Sequence, residues 1–162
     1  MFFLGSHIVR EALKDGYAVR AFIQPGRDVD VLDGLPVERF ESDLLNKHDI
    51  ESALQDCQML IHTAGTTAVF PSQTPWIWEI NYRAVVDLAQ AARAADIARF
   101  VHISSACTFG YGSEVSPDDE NSPYLGAKFH LIIWIQKERH RSTYWSNTSV
   151  MDFLSSSSIL PI

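Results

Sequence analysis

Tyr124-Leu125-Gly126-Ala127-Lys128 sets a phenol and an ammonium four residues apart. If that stretch is helical, both side chains lie on one face one turn apart. The lysine charge then favours the phenolate and lowers a pKa that starts near ~10. Such a pair can exchange a proton near neutral pH. The local sequence also allows a simpler reading. Tyr124 follows Pro123 in the acidic, turn-rich stretch Ser116-Pro117-Asp118-Asp119-Glu120-Asn121-Ser122, and Gly126 disfavours a helix inside the motif. Metal chemistry has little support. Six histidines include no pair at i, i+4, and Cys57 and Cys107 are far apart. His62 and His102 read as satisfied core histidines, Trp76 and Trp78 as packing residues, and Cys107 as a small buried hydrophobe.

Residues with this chemistry need elements to hold them, and the chain supplies alternating ones. Ile8, Val9, Ala12 and Leu13 recur at helical spacing over residues 6–15, and Gly16 ends the run. Strands are expected at 17–23, closed by Pro25-Gly26, and at 37–40. A short helix at 49–55 leads to a buried strand at 59–63, then a long helix at 78–95 and a strand at 100–104. Helices alternating with continuous apolar strands indicate an α/β fold with a parallel sheet covered on both faces. The 162 residues suffice for one domain, and 46% hydrophobic with 20% charged composition is that of a globular protein. A formal charge of −7 argues against nucleic acid as a partner. No apolar run reaches the ~20 residues of a membrane span, so no membrane partner is expected. The opening Met1-Phe2-Phe3-Leu4-Gly5 makes no signal peptide. Two cysteines fit a reduced cytoplasmic setting.

Five stretches, in order, resemble the extended short-chain dehydrogenase/reductase family, in its epimerase/dehydratase and dihydroflavonol-reductase-like branch. Phe3-Leu4-Gly5-Ser6-His7-Ile8-Val9 resembles the end of a T-G-x-x-G-F-[IL]-G fingerprint and the helix after it. Ser42-Asp43-Leu44-Leu45 is similar to the aspartate turn beside the adenine ring. Ile61-His62-Thr63-Ala64-Gly65 is similar to the strand end lying along the cofactor. Glu79-Ile80-Asn81-Tyr82 matches the start of the long helix, and Phe100-Val101-His102-Ile103-Ser104-Ser105-Ala106 the strand ending in the active-site serine.

The resemblance implies a Rossmann-type doubly wound parallel sheet, incomplete because the first strand and the C-terminal substrate part are missing. It implies NAD or NADP as cofactor and a small-molecule substrate bearing a carbonyl or hydroxyl, and it leaves a homodimer open. Gly5 stands for the last glycine of the pyrophosphate fingerprint, where Phe2 replaces an expected glycine. Asp43 and Leu44 would meet the adenine, and Thr63, Ala64 and Gly65 would line the cofactor. Capping is the alternative role for Asp43. After the second family strand, Gln24-Pro25-Gly26-Arg27 offers no carboxylate to ribose hydroxyls, whereas Arg27 suits a 2′-phosphate or is a solvated loop charge. In the catalytic roles the resemblance places Ser105 on the substrate oxygen, Tyr124 as acid/base and Lys128 as the residue that lowers its pKa. The 19 residues between Ser105 and Tyr124 are fewer than the family usually has. The alternative function is a catalytically inactive remnant or a cofactor-binding or interaction module.

Composition divides the chain at His130, giving a partial NAD(P)-binding domain at 1–130 and a divergent Ser-rich tail at 131–162. All eight glycines and every alanine precede the break, and seven serines follow it. The peptide 131–141 can be back-translated so that a one-base shift yields Ser-Asp-Tyr-Leu-Asp-Ser-Lys-Arg-Glu-Ala-Gln, which contains a second tyrosine-x-x-x-lysine. A change of reading frame near His130 is therefore an expectation that the codons themselves decide.

Overall fold

The computed structural model describes residues 3–66, 75–103 and 113–116. Helix α1 (Phe3–Lys14) opens the described chain. Its apolar positions fall on one side, and its end is fixed by Gly16 at φ +83°. There the Gly16 amide donates to the Leu13 carbonyl (3.1 Å) and the Tyr17 amide to that of Ala12 (3.0 Å). These are the two bonds of a glycine-terminated helix end, which only a residue tolerant of left-handed backbone closes without strain. The chain then enters strand β1 (Val19–Ile23).

A turn over Gln24-Pro25-Gly26-Arg27, with Gly26 at φ +71° and the Arg27 amide bonded to the Gln24 carbonyl at 3.2 Å, ends β1. This is turn chemistry with Pro second and Gly third. A single 3₁₀ turn (Asp30–Leu32) precedes strand β2 (Val37–Glu41). Helix α2 (Lys47–Ala53) is capped by Asn46, whose side chain accepts the His48 amide at 3.1 Å. Strand β3 (Met59–His62) follows.

The long helix expected over 78–95 is composite. A four-residue turn, α3 (Pro75–Trp78), runs into a π-helical segment (Glu79–Arg83) and then α4 (Ala84–Ala94). The chain leaves α4 through Asp96 at φ +53°, with the Ile97 amide bonded to the Ala92 carbonyl at 2.9 Å, and enters strand β4 (Arg99–His102).

β1 pairs parallel with β2 and β3 parallel with β4, each as a two-stranded sheet. In the Rossmann strand order 3-2-1-4-5-6 these are neighbours 3-2 and 4-5. The place of the central strand, between β1 and β3, holds no strand among the described residues. The fold is Rossmann-type and incomplete.

Packing differs on the two sides of that gap. Ile50 from α2 and Leu54 just after it, Val85, Leu88 and Ala92 from α4, with Ile97 and Phe100, form one closed apolar cluster. By contrast α1 buries only Ser6, whose hydroxyl donates to the Phe3 carbonyl at 2.9 Å. Arg20 links the halves. Its Nη1 donates to the carbonyls of Ala53 (3.0 Å) and Gln55 (2.7 Å), while its Nε pairs with Glu38 at 2.7 Å. The Glu38 carboxylate holds the Arg20 guanidinium above its ordinary pKa.

Candidate functional site

The strand end Thr63-Ala64-Gly65-Thr66 is held by a side chain from the π-helical segment. Asn81, 5% exposed, accepts the Thr66 amide on Oδ1 at 2.8 Å and donates from Nδ2 to the Thr66 carbonyl at 2.9 Å. A primary amide matches a peptide group donor for acceptor, so the pair imitates one rung of a β-ladder. Gly65 makes the approach possible. A Cβ at that position would stand 3.2 Å from Asn81 Oδ1. The π-helical segment adds one residue to the helical turn, and such insertions concentrate at functional sites. The sequence marked Asn81 only as part of a resemblance; its clamp on Thr66 is a tertiary contact that no local pattern encodes.

The first turn of α1 meets the same strand end. Gly5 lies within that turn and not ahead of the helix, and a Cβ there would stand 3.2 Å from Thr63 Oγ1. Small size at position 5 thus brings the helix N-terminus, with its unsatisfied N–H groups and positive dipole end, against Thr63. Thr63, Ala64 and Gly65 are exposed beside it. An anionic group set between them would meet backbone donors on one side and a threonine hydroxyl on the other.

Asp43 stands at the turn after β2. Its Oδ1 accepts the Leu45 amide at 2.9 Å, and its own amide donates to Asp49 Oδ2 at 2.9 Å. The carboxylate therefore fixes its own turn and presents its second oxygen from an exposed position. Capping and ligand roles are compatible there, because a carboxylate accepts at several lone-pair sites. Leu44, next to it, packs on the core cluster and offers an apolar floor. Arg27 is exposed in the β1–β2 connection, with Nε bonded to Gln24 Oε1 at 3.1 Å. Gly5, Asp43, Leu44, Thr63, Ala64 and Gly65 follow the C-terminal ends of the strands or open α1, where ligands bind in open α/β sheets. Ser105, Tyr124 and Lys128 lie outside the described residues.

His62 and His102 are register partners on β3 and β4, their rings stacked at 5.4 Å with planes 17° apart. His62 is buried. Among the described residues no three His, Cys, Asp or Glu side chains gather into a metal-holding group. No helix of the described residues is long and apolar enough to cross a membrane.

The family model described as "NAD dependent epimerase/dehydratase family" matches residues 3–153. The chain belongs to that family. The match runs through the composition break at His130. Among curated proteins, this epimerase/dehydratase chain is 35% identical over 133 residues to sterol demethylase protein B of Methylococcus capsulatus, covering 77% of this chain and 40% of that one. It is 26% identical over 155 residues to the decarboxylating sterol-4-alpha-carboxylate 3-dehydrogenase of Homo sapiens, covering 94% and 39%. The Bordetella bronchiseptica enzyme WbmG, solved in complex with NAD and UDP, superposes with a TM-score of 0.69 at 18% identity, covering 96% of this chain and 47% of that one. The epimerase/dehydratase chain thus spans about 40% of the length of the curated relatives it matches.

Proposed function

We propose that this chain is the coenzyme-binding half of an NAD(P)-dependent epimerase/dehydratase or reductase-type oxidoreductase acting on a small molecule with a carbonyl or hydroxyl group. The observation that carries the reading is the close approach of the α1 N-terminus to the strand end. A Cβ at Gly5 would stand 3.2 Å from Thr63 Oγ1 and one at Gly65 3.2 Å from Asn81 Oδ1, so glycine at both positions lets the backbone of this strand end pack closely. The helix N-terminus beside this strand end suits the pyrophosphate of a dinucleotide. The second oxygen of Asp43 would accept from the adenine amino group, and Leu44 would support the ring.

When bound, the nicotinamide would accept a hydride from a carbinol carbon or donate one to a carbonyl carbon. The chain's part is to hold the coenzyme along 63–65 and to exchange the hydroxyl proton. In this reading the Ser105 hydroxyl bonds the substrate oxygen, the Tyr124 phenol takes or returns its proton, and Lys128 keeps that phenol acidic enough to do so. Arg27, at the end of a β1 turn whose residues 24–26 carry no carboxylate, favours the 2′-phosphate of NADP over the bare ribose of NAD. The domain division at His130, a homodimeric assembly and a cytoplasmic setting belong to the same proposal.

A fluorescence titration with NADH and NADPH tests it. Saturable micromolar binding that Gly5→Val or Asp43→Ala abolishes, with NADPH preferred and the preference lost in Arg27→Ala, supports the reading. A chain that binds neither coenzyme is the inactive remnant. The split sheet favours this second reading, since among the described residues the closed apolar cluster lies on the β3–β4 side.

A further inference from the structure

The first residue of α2 carries the wrong charge for its place. Lys47 puts an ammonium at a helix N-terminus, where the unsatisfied N–H groups favour an anion. Its partner accounts for it. Lys47 Nζ meets Asp87 Oδ1 of α4 at 3.0 Å, and the other oxygen of that carboxylate faces Arg83 Nε at 3.7 Å. The Asp87 side chain is 10% exposed, against 58% for Lys47 and 57% for Arg83. A carboxylate so covered needs its cations, and both approach it from the solvent side.

The two cations belong to different parts of the candidate site. Lys47 is built into the turn that presents Asp43 and Leu44. There the Asn46 amide donates to the Asp43 carbonyl at 3.0 Å and the Asp43 amide to Asp49 Oδ2 at 2.9 Å, so residues 43–49 form one bonded body. Arg83 ends the π-helical segment that carries Asn81, the clamp on Thr66. Ile50 and Leu54 share an apolar cluster with Val85 and Leu88, which holds α2 to α4, but apolar packing has no direction of its own. A charge-assisted contact at 3.0 Å supplies one.

We propose that Asp87 is a positioning residue whose carboxylate holds the adenine turn at 43–45 in register with the strand end at 63–66, so that one dinucleotide reaches both. The role rests on the coenzyme reading above. Asp87 touches no part of the coenzyme in it and acts through Lys47 and Arg83. A ligand that spans two half-sites gains from their register, whereas one that fills a single half-site does not.

The test measures NADPH and AMP binding by calorimetric titration, in the full chain and in its Asp87→Asn, Lys47→Met and Lys47→Arg variants. Asp87→Asn is expected to weaken NADPH about fivefold, the upper range for a partly exposed ion pair, and to leave AMP within about twofold. Lys47→Met should act in the same direction, and the double variant should lose no more than Asp87→Asn alone. Lys47→Arg keeps the cation and should keep the affinity. The sign is diagnostic. Removing a carboxylate from a chain of charge −7 tightens an anionic ligand by long-range charge alone, so weaker NADPH binding needs the positioning role. NADPH affinity unchanged or raised in Asp87→Asn, equal losses for NADPH and AMP, or additive losses in the double variant overturn the proposal. A parent chain that binds neither ligand overturns the coenzyme reading itself, and the positioning role with it. A parent that binds both, with variants that match it, overturns the positioning role alone.

Discussion

Replacing Asn81 by alanine removes two hydrogen bonds of 2.8 and 2.9 Å to the Thr66 peptide from a side chain that is 5% exposed. Each such bond contributes about 1 kcal/mol net, and Thr66 is half-buried, so water repairs part of the loss. The expected destabilisation is about 2 kcal/mol, or roughly a 4–8 °C fall in thermal midpoint for a chain of this size. Asn81→Asp separates the donor from the acceptor. The carboxylate still accepts the Thr66 amide but sets an acceptor against the Thr66 carbonyl. Burial raises the new carboxyl above its unfolded pKa of ~3.9, because the charged form is desolvated. Its destabilisation is therefore full above the raised pKa and recedes as pH falls toward the unfolded value, where the protonated group donates to Thr66. Thermal melts at pH 5 and 7.5, with amide exchange at 64–66, read this directly. Asn81→Ala melting like the parent, or an Asn81→Asp deficit that does not shrink at pH 5, refutes the clamp.

Arg20→Met removes the ties from β1 to the Ala53 and Gln55 carbonyls and to Glu38, and should lower stability by about 2–3 kcal/mol in urea denaturation. Gly5→Ala places a methyl 3.2 Å from the exposed Thr63 hydroxyl, which can rotate. Because Ala also favours the helix by about 1 kcal/mol, stability is expected to hold while NADH affinity falls about tenfold in a fluorescence titration. Asp43→Asn keeps an acceptor for the Leu45 amide but offers an NH₂ group in place of the second oxygen. The melting midpoint should stay within 1–2 °C of the parent's by the same scaling, roughly, while coenzyme affinity drops about tenfold. Sequencing the gene decides the frame proposal: the codons of 131–141 either spell Tyr-Leu-Asp-Ser-Lys in the adjacent frame or they do not.

Much of the fold was legible because its signals are local. Gly16 and Pro25-Gly26 punctuate the chain where left-handed or turn backbone is needed, and the four strands stand within about two residues of their expected positions. The interruption of the long helix was not legible. A π-helical segment at Glu79–Arg83 changes the register by one residue within an apolar face of Ile80, Ala84 and Val85 that still reads as continuous helix. Arg20 is a single polar residue within a strand, and its partners lie 18, 33 and 35 residues away, beyond any local pattern. Asn81 shows the same limit, since a hydrogen bond across 15 residues leaves no periodic trace. The candidate site residues were drawn from the order of the motifs. What the sequence hid was geometry: Gly5 inside the first turn of α1, and Asp43 sharing its carboxylate with its own turn.

Amide exchange of the chain with and without NADH and NADPH tests the coenzyme-binding claim most directly. The account predicts slowed exchange in the first turn of α1, at Leu44 and Leu45 beside Asp43, and at 63–66, with β2 and α4 unchanged. Exchange unchanged at all three places under a millimolar excess of either coenzyme would contradict it.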